Sequence, residues 1–593
     1  MVVAVAILVL LVGSYIYVAL QPAPQELSRE QAKQEFAAKQ KAFQETLTYA
    51  TNLSPTMLGY PYIPKANWVA VKETYETLVM YVGSSLDYKP GLAVRWEVSP
   101  DGKVFTFYLR KNVTFYPSGD PFNAQAVKFS LDHIFTGPSF IPVYVFGDPS
   151  WLQYDRTEIV DDYTVKVYFN RSLAWLMRVF AYSNTGAIVN PKFINAHGGL
   201  PKTEQEIDPY LAAHQDVTGP YVVDEYKPQD RIILKRNPTW WGWNSSLANR
   251  PERVVIRIIP ETTTRMMMVA RGDLDITYVE VAYMAELKKR IASENLPLII
   301  DDSPSLVLTN PVLDQRNAPT NDVHIRRMLA WSFDYESWIE KIAFGFADRM
   351  ISFPPKGSGW GYVPDVPYYT FNLEKAKEEL ALAAPENRAM VEKGIEADYY
   401  AGYAASLGKE GFLMWKSDLA KIGVNLIVNE ISWERYGTLR KEGGVPILDR
   451  GWTPDFADPA TFYAFLMPSV REAKAFGTTP QWIATLLEQA AFETNQDQRS
   501  KIYRQVEEWA YDQVPYVKIA SKTVGGEYNV RGTWLKGFHP SIVYLQKPLF
   551  WELWKELPRE EGSFSATSRL PLIAVWTTRT AETDTYGMIT RSR

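Results

Sequence analysis

The strongest constraint on this chain lies between positions 445 and 462. A short apolar run containing Val445, Ile447 and Leu448 leads into Gly451-Trp452-Thr453-Pro454-Asp455-Phe456-Ala457-Asp458-Pro459-Ala460-Thr461-Phe462. Each proline removes a backbone donor and drives the preceding residue toward extended geometry, so this stretch is neither a regular helix nor a central strand. It reads as a stiff loop that follows a strand and presents a large ring, Trp452, together with a carboxylate, Asp455. Open α/β sheets bind ligands beyond the carboxyl ends of their strands, which makes Trp452 and Asp455 the first candidates for a site. On residue chemistry alone a second account is equally good: Trp452 is core, Asp455 caps the helix that Ala460 begins, and nothing binds.

Patterning around this loop is α/β throughout. Residues 92–109 alternate apolar and polar about the turn Ser99-Pro100-Asp101-Gly102, as a hairpin does, and 160–169 form a second strand pair around Asp161-Asp162. Residues 123–135 have helical spacing. A helix is also expected to end in 75–79, and 254–260 reads as a strand buried on both faces, followed by a helix over 263–271 that stops at Gly272. Beyond Pro304 the pattern turns to helices over 322–333, 335–344, 373–384, 412–422 and 482–492, with strands at 424–428 and 445–448. The three tryptophans of 240–243 could stack on sugar rings, but core is the simpler role for them.

Several stretches resemble, in order, the family 5 solute-binding proteins, the peptide-type receptors of ABC importers. Gly-Trp-x-x-Asp-x-x-Asp-Pro at 451–459 is one. The others are Tyr75-Glu76-Thr77-Leu78-Val79, Trp96-Glu97-Val98-Ser99-Pro100-Asp101-Gly102-Lys103, Phe122-Asn123-Ala124-Gln125-Ala126-Val127, Thr218-Gly219-Pro220-Tyr221, Arg236-Asn237-Pro238-Thr239-Trp240-Trp241-Gly242, Arg271-Gly272-Asp273-Leu274-Asp275, and Ile325-Arg326-Arg327-Met328-Leu329-Ala330-Trp331-Ser332-Phe333-Asp334. Together they span roughly 45–555, and ordered agreement of that extent is far more specific than one short motif.

The resemblance implies a two-lobed clamshell of the periplasmic-binding-protein type, class II, with mixed sheets and an extra subdomain on the first lobe. The first-lobe core would comprise 45–82, 215–302 and 522–556, the added subdomain 83–214 and the second lobe 303–521. It implies a monomer that closes on a peptide and delivers it to ABC permease subunits in the membrane. In peptide-binding members the Asp that closes Gly-Trp-x-x-Asp receives the ligand's α-ammonium group, and the matching residue is Asp455. Oligosaccharide-binding relatives keep much of the same loop. There the carboxylate would accept sugar hydroxyls while Trp433, Tyr436 and Trp452 stack on rings, so both ligand classes stay open.

Composition excludes other classes. A net charge of −5 in 593 residues, with no dense Lys/Arg segment, leaves no basic face for nucleic acid. Cysteine is absent, which removes disulfides, thiolate metal sites, cysteine nucleophiles and a lipid-attachment cysteine. The five histidines lack ligand-like spacing, and no cofactor or metal is expected. Phosphate-loop, zinc-protease, nucleophile-elbow and dinucleotide fingerprints are all missing from the sequence. A secreted hydrolase using Asp455 and Asp458 as a carboxylate pair remains the rival class, although Pro459 marks Asp458 as a turn former.

The ends of the chain suggest where it works. Residues 2–20 are almost unbroken Val, Ala, Ile and Leu, about the length that spans a bilayer. No Lys or Arg precedes the run, so the true start could lie upstream, and a retained anchor (1–22) competes with a cleaved signal. Both readings put the body outside the cytoplasm, and Asn52, Asn112, Asn170 and Asn244 each head an N-x-[ST] sequence that an exported surface could use. Residues 23–44, with Ser28-Arg29-Glu30-Gln31 as a capping box, read as a polar helical stalk, or equally as a helix packed on the first lobe. The tail, 557–593, reads as disordered.

Overall fold

The computed structural model describes residues 29–556, except 53, 55–57, 63–67, 82–84, 138–152, 202–205, 281–282, 302–305, 402–405, 453, 455, 457, 469, 478, 522–526 and 541–548. The apolar run at 2–20, Ser28, the tail and Asp455 therefore lie outside the described residues.

The organising element is a seven-stranded mixed sheet. Its spatial order is Leu298–Ile300, Glu527–Gly532, Ile276–Glu280, Thr46–Thr51, Arg253–Ile258, Arg231–Arg236 and Tyr221–Lys227. Thr46–Thr51 lies parallel to both neighbours, with Tyr49 opposite Ile256 on one side and Ile276 on the other. The remaining pairs are antiparallel. The strand expected to be buried on both faces is buried on one: Val254, Ile256 and Ile258 face the core while Arg253 and Arg257 on the other side are exposed. The start, middle and end of the chain meet at Asp275. Its carboxylate accepts hydrogen bonds from the backbone N–H and hydroxyl of Thr48 (2.7 and 2.9 Å), from the Trp534 indole (2.8 Å) and from Lys555 Nζ (2.8 Å).

A separate antiparallel sheet of four strands follows the order Ala93–Val98, Val104–Leu109, Thr164–Phe169 and Tyr154–Asp161. Its two inner strands alternate strictly, turning Phe105, Phe107, Leu109, Val165, Val167 and Phe169 to one buried face. Helices Ala124–Thr136 and Leu176–Ala181 cover that face, with the Phe180 ring 5.0 Å from Phe107 and 5.8 Å from Phe135. Asn123 starts the first helix, accepting the N–H groups of Gln125 and Ala126.

The chain leaves the large sheet after Leu298–Ile300 and rejoins it at Glu527–Gly532. Between the two crossings it builds two further four-stranded sheets, covered by helices. One joins Val312–Leu313, Ile447–Leu448, Ile395–Tyr399 and Leu426–Glu430; the other joins Asp348–Arg349, Ala520–Ser521, Leu308–Thr309 and Gly451–Trp452.

Two expected elements differ. The helix Trp68–Thr74 stops before the segment 75–79, whose later residues join Val79–Tyr81, a strand paired with Tyr88–Pro90. β-Branched Thr77 bridges to Ala187 instead, and a β-branched pair so close together suits a strand better than a helix end. The single helix expected at 335–344 is one turn, Tyr335–Ser337, followed by the wide turn Trp338–Ile342. There Ala343 N–H reaches back five residues to the Trp338 carbonyl, and Phe344 and Gly345 end it at positive φ.

Candidate functional site

The 451–462 loop starts in one sheet and ends in a helix. Gly451–Trp452 pairs with Leu308–Thr309, so the strand at 447–448 and the one at 451–452 belong to different sheets and the chain passes from one to the other ahead of the loop. Trp452 is 8% exposed. Its ring packs 5.6 Å from Phe465 with the Arg450 guanidinium 5.2 Å away, and its indole N–H points at Thr461 Oγ1 (3.4 Å). Thr453, Asp455 and Ala457 lie outside the described residues, but the positions that alternate with them, Pro454, Phe456 and Asp458, are all buried.

Asp458 accepts the Ala460 N–H at 2.9 Å and caps the helix Pro459–Tyr463, in which proline occupies the first turn where its missing donor costs nothing. The same carboxylate takes two hydrogen bonds from Arg499, Nη1 to Oδ2 at 3.1 Å and Nη2 to Oδ1 at 2.5 Å, while Arg178 Nε stands 3.6 Å from Oδ2. Burial pushes the Asp458 carboxyl up; Arg499 more than offsets this and leaves it below the usual carboxylate range. A carboxylate committed to two guanidiniums and a helix terminus is unsuited to carry protons as one member of a hydrolytic pair.

Behind this loop the helix Gln496–Gln513 supplies a buried polar layer. Tyr503 receives an Arg499 hydrogen bond (3.0 Å) and stacks on Tyr463 with ring centroids 4.4 Å apart. Fully buried Glu507 accepts from Tyr463 Oη (2.8 Å), from the Phe353 backbone (2.7 Å) and from Lys518. Sequence reading passed over this helix and Arg499, although the signal was present: Asn495 caps it, and buried Arg499, Tyr503, Val506 and Ala510 recur every three or four residues.

The other two candidates form their own group. Ser432 caps the helix Trp433–Glu442 by accepting the Arg435 N–H. Trp433 is 55% exposed and stacks on Tyr436, centroids 5.7 Å apart, with Tyr400 5.4 Å from Trp433. Tyr436 has no exposed surface, so it backs Trp433 and offers no ring face of its own. The tryptophans of 240–243 serve the core. The indoles of Trp240 and Trp241 both donate to Glu76 Oε1, at 2.9 and 2.8 Å, and Trp243 donates to the Asn237 carbonyl at 2.7 Å. Among the described residues no group of three His, Cys, Asp or Glu is placed to hold a metal ion, and no helix is long and apolar enough to cross a membrane.

A large mixed sheet and a second sheet-and-helix body reached by two chain crossings define a two-lobed α/β clamshell binding protein. The chain matches the model of the bacterial extracellular solute-binding proteins, family 5, over residues 87–473, and it belongs to that family. A probable D,D-dipeptide-binding periplasmic protein of Escherichia coli (strain K12) is 27% identical over 474 residues, covering 78% of this chain and 85% of that protein. Heme-binding protein A of Haemophilus influenzae is 27% identical over 473 residues, covering 76% and 82%. Among solved structures, a Helicobacter pylori ABC-transporter-associated periplasmic binding protein in complex with the peptide STSA superposes with a TM-score of 0.71 at 22% identity, covering 87% of this chain and all of that one.

Proposed function

We propose that this chain is the extracytoplasmic receptor of an ABC importer, a monomer that captures short peptides between its lobes and hands them to the membrane permease without altering them. The run at 2–20 would carry it out of the cytoplasm, as an anchor or a signal. The lobes would comprise the large sheet with its added four-stranded subdomain (45–302 and 522–556) and the two-sheet body (303–521). The observation that carries the reading is the division of labour on one loop. Asp458 is consumed by Arg499 and the helix terminus, leaving Asp455 as the carboxylate between Trp452 and that helix. Asp455 would receive the ligand's α-ammonium, with Trp452 as the adjacent wall and Trp433, backed by Tyr436, as the exposed ring. Relatives described as binding a D,D-dipeptide and the peptide STSA support a peptide over a sugar.

Calorimetry with D-Ala-D-Ala, L-Ala-L-Ala and Ser-Thr-Ser-Ala, each beside its N-acetylated form, tests the assignment. A charge-assisted bond contributes about 1.5–3 kcal/mol, so acetylation or Asp455→Asn should weaken binding roughly ten- to a hundredfold. Equal affinity for free and acetylated peptides, or binding of oligosaccharides alone, would overturn the ammonium role.

A further inference from the structure

A line of contacts joins the body of the four-stranded antiparallel sheet to the 303–521 body at the Gly-Trp loop itself. It runs along 171–178, the segment leading into the helix whose Phe180 packs under the antiparallel sheet. Arg171 makes an ion pair with Glu488 at 2.9 Å across 317 residues of sequence, and its guanidinium lies 3.3 Å from the Phe492 ring centroid. The Ala174 N–H is 3.4 Å from the Ala491 carbonyl oxygen. Trp175 stacks on Phe456, centroids 5.4 Å apart and planes 30° apart, and neither ring has exposed surface. Arg178 closes the line at Asp458.

Two features separate this seam from ordinary surface contact. Its middle, Trp175 on Phe456, is apolar and wholly buried while its outer end, Arg171 with Glu488, is half exposed, the layout of a specific interface with a dry core and a polar rim. Its inner contacts also fall on Phe456 and Asp458 of the loop itself. Asp458 keeps its own-lobe partner, Arg499, whether or not Arg178 is present, so the seam can part without stranding a buried charge.

We infer that Trp175 and Arg178 are positioning residues for ligand capture: they grip Phe456 and Asp458 from the opposite lobe when the clamshell shuts, and so fix the loop and set the lifetime of the closed, loaded state. Contacts made only in the closed form stabilise that form by their full free energy, and they slow release without slowing encounter.

The chain has no cysteine, so one introduced pair reports on the seam without background. With N and O 3.4 Å apart, the Ala174 and Ala491 Cα atoms are separated by no more than about 7 Å, near the limit of disulfide reach. The full chain carrying Ala174→Cys with Ala491→Cys should cross-link internally under mild oxidation. Because the bond traps even a brief closure, failure to cross-link overturns the seam. In stopped-flow measurements with Ser-Thr-Ser-Ala, the cross-linked form should release peptide at least tenfold more slowly than the reduced form. Arg178→Met should release it roughly tenfold faster, with the association rate and the unliganded melting temperature unchanged. Equal release rates would overturn the positioning role. The kinetic arm rests on the peptide reading and the cross-link does not: a wild type that ignores the peptide but cross-links in the variant refutes the ligand, not the seam.

Discussion

Asp458 and Arg499 meet in a two-pronged ion pair with side chains only 1% and 2% exposed. The two groups shift in opposite directions, Asp458 below the carboxylate range and Arg499 above its own ordinary value, as expected when each stabilises the other's charge. The pair fixes the helix that ends the Gly-Trp loop to the helix Gln496–Gln513, and Arg499 extends the link to Tyr503.

Removing one partner should therefore cost far more than removing both. Arg499→Met leaves a buried carboxylate with Arg178 as its remaining cation, and loss of a buried partner costs about 3–5 kcal/mol, here toward the lower end. Asp458→Asn combined with Arg499→Met should recover much of that. Denaturant midpoints decide: a single variant as stable as wild type would mean that the pair does not hold the loop. The sign of the pH effect follows from the depressed carboxyl. Its contribution is complete above the unfolded value of about 3.9 and is lost as the pH falls through the lower folded value.

Trp433 and Tyr436 should separate cleanly although they stack on each other. Trp433 is mostly exposed, so Trp433→Ala should change stability by no more than about 1 kcal/mol and lower peptide affinity if its ring faces the ligand. Tyr436→Ala empties a fully buried ring site and should cost about 3–5 kcal/mol. Melting curves and calorimetry on both variants check this; similar losses of stability in the two would contradict the exposure.

Much of this architecture was legible because it is written in local periodicity. The second strand of the hairpin around Asp101-Gly102 alternates strictly, Asn123 and Asp322 sit where helix caps belong, and Gly272 ends its helix at φ 80°. The family motifs then ordered these pieces. What stayed hidden depends on partners far away in sequence. Asp458 reads as a turn former because of Pro459, and nothing near it announces Arg499 or Arg178. Trp433 and Tyr436 look alike as stacking residues and stack on each other from neighbouring turns of one helix, and only packing puts Trp433 outermost and Tyr436 beneath it. The helix expected over 335–344 had the spacing but not the backbone, because Phe344 and Gly345 turn left-handed.

Asp275 should behave as the lock on the chain's return. Asp275→Ala strands the Lys555 ammonium, itself buried and held below its ordinary value by desolvation, and leaves the Trp534 indole and Thr48 without their acceptor. The expected loss is about 3–5 kcal/mol. Hydrogen exchange should rise first in Glu527–Gly532, the large-sheet strand supplied from the far end of the sequence, and in Trp554–Lys555, which pairs with Leu535–Lys536. Exchange that rises evenly over the whole chain would show that Asp275 is not a local lock.

The last prediction concerns Asp449, two residues before the Gly-Trp loop. Its carboxylate accepts from the Ser406 hydroxyl and from the Leu407 N–H at 3.0 and 3.1 Å, yet burial dominates and pushes its pKa up to about 7. An acid raised on folding acts opposite to Asp458. Between the unfolded value of about 3.9 and the folded value near 7 the native state binds the extra proton, so stability falls as the pH rises through that window and stays lower above it. Asp449→Asn keeps the shape, can still accept the Leu407 N–H, and cannot titrate. Its stability relative to wild type should therefore climb between about pH 4 and 7 by an amount on the order of a few kcal/mol, and level off above. Other buried acids such as Glu76, also pushed up to about 7, are common to both proteins and cancel in the difference. Denaturant midpoints for the two proteins from pH 4 to 9 provide the test, and a difference that stays flat across the range would show that Asp449 is ionised in the folded protein throughout.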